Sequence, residues 1–413
     1  MLAVARMPDV NLSPICTSLG PDVIRSFASV SVSGLYVHVP FCMKKCEYCD
    51  FYSTVEFAAD AMQQYVDRVL EEASWWTHYL ETSGSSLRTV FFGGGTPTML
   101  PRPLMAQLIG GLRQRLPLHQ QVEWTVEGNP ATVDREYCQM LLECGVNRLS
   151  IGAQSFVPEE LNTLGRVHSS DAIHRTIADA HAAGLRRLSL DLMYGVPGQT
   201  PVSWGYSLDQ AVALGVKHIS CYCLTLEKGT PMWQKVAAGK LAEASEEEQL
   251  QAMKQTRLRL AAYAIKPYEI SNYAVTGEEC QHNLNYWRGG NYIGLGPAAA
   301  GHLAGTRWRT TSNLSRYLHN LKRAHVEIEE WEVLSLSQRA VELALLMLRL
   351  QEGIDRKLFS DLLGVDPVTL FAPAIGHLEK LGMITCNVRS IALTQQGVCV
   401  ADAVIREMVR GRA

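Results

Sequence analysis

Six times between residue 34 and about residue 227, a short apolar run gives way to a helical stretch. The runs are LYVHV (35–39), TVFFGG (89–94), EWTVEG (123–128), RLSIGAQ (148–154), RLSLDLMY (187–194) and HISCYCLT (218–225). They are β-branched or aromatic and often apolar on both faces, as parallel strands covered on two sides must be. Helices are expected between them, over about 58–80, 101–116, 132–144, 170–183 and 201–214. On the first of these Tyr65, Val69, Ala73 and Trp76 share one face. Asp134, Asp171 and Ser203 offer side-chain oxygens near helix starts. Gly145, Gly184 and Gly215 stand where left-handed caps are expected. Serial βα units imply a parallel sheet with right-handed crossovers. Eight would close a complete barrel, so six imply an open one. The expected fold class is α/β, a partial (β/α)6 TIM-like barrel.

Beyond the repeats, EASEEEQ (243–249) opens a helix, and residues 267–312 are irregular, rich in Gly, Asn and aromatics. The charged stretch RAHVEIEEWE (323–332) reads as a linker. Helices over 337–350, 355–363 and 367–381 then precede two short strands, TCNV and SIALT, the order of a winged helix. The expected division is a disordered leader (1–33), a barrel with its extension (34–315), a linker (316–334) and a smaller, mainly helical C-terminal domain (335–413).

A net charge of −3 argues against a chiefly electrostatic grip on nucleic acid or anionic lipid. No apolar run reaches the roughly 18 residues that span a bilayer. Of eleven cysteines, Cys42, Cys46 and Cys49 crowd into eight positions and the others scatter. That pattern fits a reducing compartment, the cytoplasm, and one metal site. A transit peptide in residues 1–33 would instead mean an organelle. Cys221 and Cys223, a C-x-C on a strand, read as small buried residues.

Cys42, Cys46 and Cys49 form C-x3-C-x2-C, with Tyr48 before the last cysteine and no second cysteine pair of the zinc type within reach. FFGGGTP (91–97) puts glycines at a strand's end, where backbone amides can approach a polar ligand. Polar residues lie at or just beyond the ends of successive strands: Glu127, Gln154, Arg166 and Asp191. Barrel enzymes bind ligands at that end. Carboxylates suit ribose hydroxyls, and arginine suits a carboxylate.

These pieces, in this order, resemble the radical S-adenosylmethionine (SAM) enzymes. YVHVPFC, CDFYS, GGGTPT, VEGNP, RLSIGAQSF, LGRVHS and LDLMYGVPGQT resemble the coproporphyrinogen-oxidase-like group within them. The resemblance implies that Cys42, Cys46 and Cys49 ligate a [4Fe–4S] cluster whose fourth iron is open to SAM. It implies that Tyr36, Gly94, Gly95, Thr96, Glu127, Gln154, Arg166 and Asp191 hold SAM. It also implies a one-electron donor such as a flavodoxin or ferredoxin.

Two activities share that scaffold. The oxidases decarboxylate coproporphyrinogen III and carry a further cysteine two positions after the third; here that position is Phe51. HemW-type heme chaperones lack it and pass heme to hemoproteins of respiration. HNLNYW (282–287) resembles the chaperones' H-N-x-x-Y-W, which makes His282, Tyr286 and Trp287 the expected heme contacts. Histidine is a common heme ligand and aromatic faces suit a porphyrin. Relatives often carry a histidine at the position of Ala300; here His302 comes two residues later. The alternatives are the oxidase and, through the winged helix, an RNA-modifying protein. Arg406, Arg410 and Arg412 make only a mildly basic tail, with no basic helix interleaved with aromatics, which argues against nucleic acid.

Overall fold

The structure, a computed structural model, describes residues 16–319 and 324–410. Six parallel strands lie side by side in chain order: β1 (Gly34–Val39), β2 (Leu87–Gly94), β3 (Leu118–Gly128), β4 (Arg148–Gln154), β5 (Arg187–Tyr194) and β6 (His218–Cys223). The helices between them are α1 (Ala61–Thr82), α2 (Arg102–Arg115), α3 (Arg135–Glu143), α4 (Ser170–Ala183) and α5 (Pro201–Ala213). Each start and stop has a local cause. Asp134 and Ser169 accept the first free N–H groups of α3 and α4, and Gly184 closes α4 at φ 102°. Thr200 caps α5, and Ser203, expected near that start, completes its capping box.

The sheet does not close. Beyond β1 a seventh parallel strand, β7 (Tyr292–Leu295), is followed by antiparallel strands Ala300–Leu303, Thr306–Thr310, Val326–Val333 and Ser18–Leu19. Beyond β6 the edge is finished by Asn272–Ala274 and Lys266–Pro267. The chain is thus a partial barrel with an antiparallel extension.

Two boundaries differ from the sequence reading. Residues 1–15 lie outside the described part, but from Cys16 on the expected leader is built into the fold. Leu19, Ile24, Phe27 and Val32 are buried, and Phe27 packs among Trp76, Trp308 and Trp331. Likewise the expected linker takes in most of the helix Leu314–His319 and the whole sheet strand Val326–Val333. Its glutamates pair across the sheet, Glu332 with Arg307 and Glu330 with Arg309, and so read as charge rather than as strand.

The C-terminal domain combines helices Leu336–Met347, Arg356–Leu363, Pro367–Lys380 and Ala401–Val409 with a small sheet of Ile354–Asp355, Ser390–Leu393 and Ile384–Cys386. None of its described residues lines the pocket at the barrel mouth. It docks beside the helix α6 (Gln281–Trp287), where Arg349 lies over the Trp287 ring at 5.3 Å and Arg288 pairs with Glu352 at 2.9 Å.

Helix α1 buries the expected face, Tyr65, Val69, Ala73 and Trp76, and with it Glu72. Tyr317 donates its hydroxyl to Glu72 at 2.6 Å and the Gly296 amide donates at 3.0 Å. Burial still pushes the carboxyl from its ordinary 4.5 up to about 7. The unfolded chain therefore loses this proton first, and stability falls as pH rises from about 4.5 through 7. Glu72→Gln is expected to remove roughly 3 kcal/mol of that pH dependence, read from urea melts across the window. An unchanged slope would contradict it.

Candidate cofactor site at the barrel mouth

Strand β1 ends at Val39, and its continuation launches the cysteine loop. The loop is fastened at both ends of its first turn: the Cys42 amide donates to the Thr54 carbonyl at 2.9 Å and the Thr54 amide to Pro40 at 2.8 Å. Further along, the Glu47 amide donates to Leu164 at 3.1 Å, and Glu47 pairs with Lys235 at 3.0 Å. The glycine loop after β2 is laid against the same segment. Gly95 donates to the Val39 carbonyl and Thr96 to the Phe41 carbonyl, both at 2.8 Å. A Cβ on Gly95 would stand 2.8 Å from the Pro40 carbonyl carbon, so only glycine permits this approach.

A pocket of ≈ 500 Å³ opens between these loops, within the usual size of a small-ligand site. Cys42, Cys46 and Cys49 line it, as do Gly94, Gly95, Thr96, Glu127, Gln154, Arg166 and Asp191. Arg166 donates to the Cys46 sulfur at 3.3 Å and to the Gly152 carbonyl. Thr96 meets the Cys42 sulfur at 3.6 Å. Residues remote in sequence thus touch the loop directly. Tyr36 lies deeper, in a smaller adjoining cavity that shares Glu127 and Asp191 with the pocket.

The three thiols fit a cluster better than a single ion. Among the described residues, no three Cys, His, Asp or Glu groups are placed to hold one metal ion together. In an iron–sulfur cluster each thiolate takes its own iron, so the sulfurs need to face one pocket rather than one point. All three cysteines are half-buried and face the pocket beside the Arg166 guanidinium.

Burial sets the protonation of the acids. Glu127 is pushed up to about 8, chiefly by desolvation, with the Asp191 carboxylate adding to it. Asp191 is raised by burial against hydrogen bonds from Ser220 and Ser150.

One contributor escaped sequence reasoning. His38 bridges Tyr36, at 3.0 Å from its hydroxyl, to the Tyr52 carbonyl on the cysteine loop at 2.9 Å. The strand's own pattern does not reveal a partner fourteen residues away. Gln154 has φ 68°, rare for a side-chain-bearing residue, at a bulge in the β4–β5 pairing. The rim is apolar, with Met43, Phe51 (71% exposed) and Val167 open to solvent.

The expected heme residues lie elsewhere. His282 is 1% exposed, and both ring nitrogens are engaged: Nδ1 with Thr89 Oγ1 at 2.8 Å and Nε2 with the Tyr286 hydroxyl at 2.7 Å. It stacks on Phe91, ring centroids 5.2 Å apart, pinning α6 to β2. Trp287 faces Arg349, and none of the three lines the mouth pocket. His302 does not turn toward the mouth either; it bonds the backbone at Gly290 and Gly305. Direct iron ligation by His282 is thus not available in this arrangement.

Comparison with known proteins agrees with the fold. Residues 36–211 match the radical SAM superfamily, and residues 334–400 match the HemN C-terminal domain. The heme chaperone HemW of Bacillus subtilis is 31% identical over 370 residues, 89% of this chain and 97% of that protein. HemW of Mycobacterium tuberculosis is 32% identical over 382 residues, 91% and 94%. The structure of coproporphyrinogen III oxidase, HemN, from Escherichia coli superposes with a TM-score of 0.81 at 20% identity, over 94% of this chain and 92% of that one, a likeness of fold. The chain belongs to the HemW family of radical SAM proteins.

Proposed function

We propose that the protein is a heme chaperone, holding a [4Fe–4S] cluster on Cys42, Cys46 and Cys49 and delivering heme to respiratory hemoproteins, in the cytoplasm. Gly94, Gly95, Thr96, Glu127, Gln154 and Arg166 would bind SAM, with Asp191 and Tyr36 toward its inner side. The cluster, once reduced by an external donor of the flavodoxin or ferredoxin kind, would supply one-electron chemistry toward SAM. The observation that carries the reading is the near full-length relation to proteins named heme chaperones, together with Phe51 exposed where an oxidase has cysteine.

Delivery is the property to test. Protein loaded with hemin and mixed with an apo-hemoprotein of a respiratory membrane should transfer heme at a rate that rises with acceptor concentration. Transfer no faster than from free hemin would overturn the reading.

His282 enters this reading as a residue that would have to change its partner. To reach an iron, its Nε2 must exchange the Tyr286 hydroxyl for the metal. Tyr286→Phe is expected to tighten hemin binding several-fold and His282→Ala to weaken it about tenfold, near 1.4 kcal/mol. Equal affinity and equal Soret spectra in wild type and both variants would remove His282 from the heme site.

A further inference from the structure

Arg148 begins β4 inside the barrel and is only 3% exposed. Its backbone pairs within the sheet, but among the described residues its guanidinium makes no hydrogen bond and no ion pair. The carboxylates near it support its charge without touching it, and their direct contacts are with other groups. Glu123 pairs with Arg187 at 2.8 Å and accepts from the His282 amide at 3.2 Å. Asp191 accepts from Ser150 at 3.3 Å. Glu127 is pushed up to about 8 by burial, which weakens it as a counter-charge. His218 is kept neutral by burial, its nitrogens facing Ser189 and Tyr268. Glu123 and Asp191 hold its charge from a distance, but neither touches the guanidinium, whose N–H groups are left for a partner.

The space for one is present. Arg148 lines a cavity of ≈ 220 Å³ with Ser150, Ser220, Tyr222, Tyr36 and Asn283. The cavity shares Phe51, Gly94, Glu127, Asp191 and Tyr222 with the mouth pocket, and Asn283 belongs to α6. It therefore lies between the proposed SAM site and the HNLNYW helix. Hydroxyl donors around one fixed positive charge make a site for a carboxylate, which an arginine fork binds in two places.

We infer that this cavity is a carboxylate-binding subsite, with Arg148 as the charge partner. Resting on the heme-chaperone reading, the carboxylate is either a propionate arm of the tetrapyrrole or a separate small acid. The full-length protein is titrated with hemin, with hemin dimethyl ester and with sodium propionate, as wild type and as Arg148→Met. For a propionate arm, wild type binds hemin at least tenfold tighter than the ester, and Arg148→Met binds both alike. For a small acid, the hemin-to-ester ratio is near one, while propionate raises the Tm of wild type and not of Arg148→Met. A ratio and a propionate response that Arg148→Met leaves unchanged mean that the cavity holds water only, and overturn the subsite. Should that variant not fold, wild type decides alone: equal hemin and ester affinity without a propionate response overturns it. If wild type binds neither hemin nor ester, the chaperone reading fails, and the propionate response still decides the subsite.

Discussion

Replacing Cys42, Cys46 and Cys49 together by Ala is expected to abolish iron uptake on anaerobic reconstitution, and with it the broad visible absorbance. Cys42, Cys46 and Cys49 are the soft donors that would hold iron at the pocket, and no other cysteine lines it except Cys223, on β6. Fold should survive, because the loop is anchored by backbone bonds at Cys42, Glu47 and Thr54 rather than by the sulfurs. Far-ultraviolet circular dichroism checks that point on the same sample. Iron retained near wild-type stoichiometry in the folded triple variant would contradict the assignment.

Gly95→Val is expected to be nearly as severe. Its Cβ would sit 2.8–2.9 Å from backbone atoms of Pro40 and Phe41, which cannot rotate away as a side chain could. The cysteine loop and the glycine loop must then part, breaking the Gly95–Val39 and Thr96–Phe41 bonds. Overpacking of this kind costs about 1–3 kcal/mol of stability. More telling is the binding: SAM affinity of the reconstituted protein should fall at least tenfold, about 1.4 kcal/mol. Gly110→Ala is a matched control, since nothing lies within 4 Å of a Cβ there on helix α2. It should leave SAM binding unchanged. Calorimetric titration distinguishes the cases, and undiminished SAM affinity in Gly95→Val would remove the glycine loop from the site.

The sequence made the parallel barrel legible because its signal is local. A doubly covered strand is apolar along its whole length, and each helix carries its own cap and glycine stop. RLSLDLMY is the observed β5 without adjustment. The mouth pocket was legible for a related reason: parallel strands all deliver their C-terminal residues to one end, so Glu127, Gln154 and Asp191 had to meet there. The strand Val326–Val333 was not legible, since its charges find their arginines only across a sheet register roughly twenty residues away. Nor was the condition of His282. Its ring lies against Phe91 and Thr89, nearly two hundred residues earlier, and no periodicity reports that contact. Arg148 and His38 belong to the same class: polar residues on inward positions of strands, whose role depends on what faces them across the barrel.

The central claim, heme handling without porphyrinogen oxidation, is tested most directly on one anaerobically reconstituted sample. Half is titrated with hemin, and half is incubated with coproporphyrinogen III, SAM and a low-potential reductant. The expected result is saturable binding of one hemin per chain and no protoporphyrinogen IX. Conversion of coproporphyrinogen III with no saturable hemin binding would contradict the account.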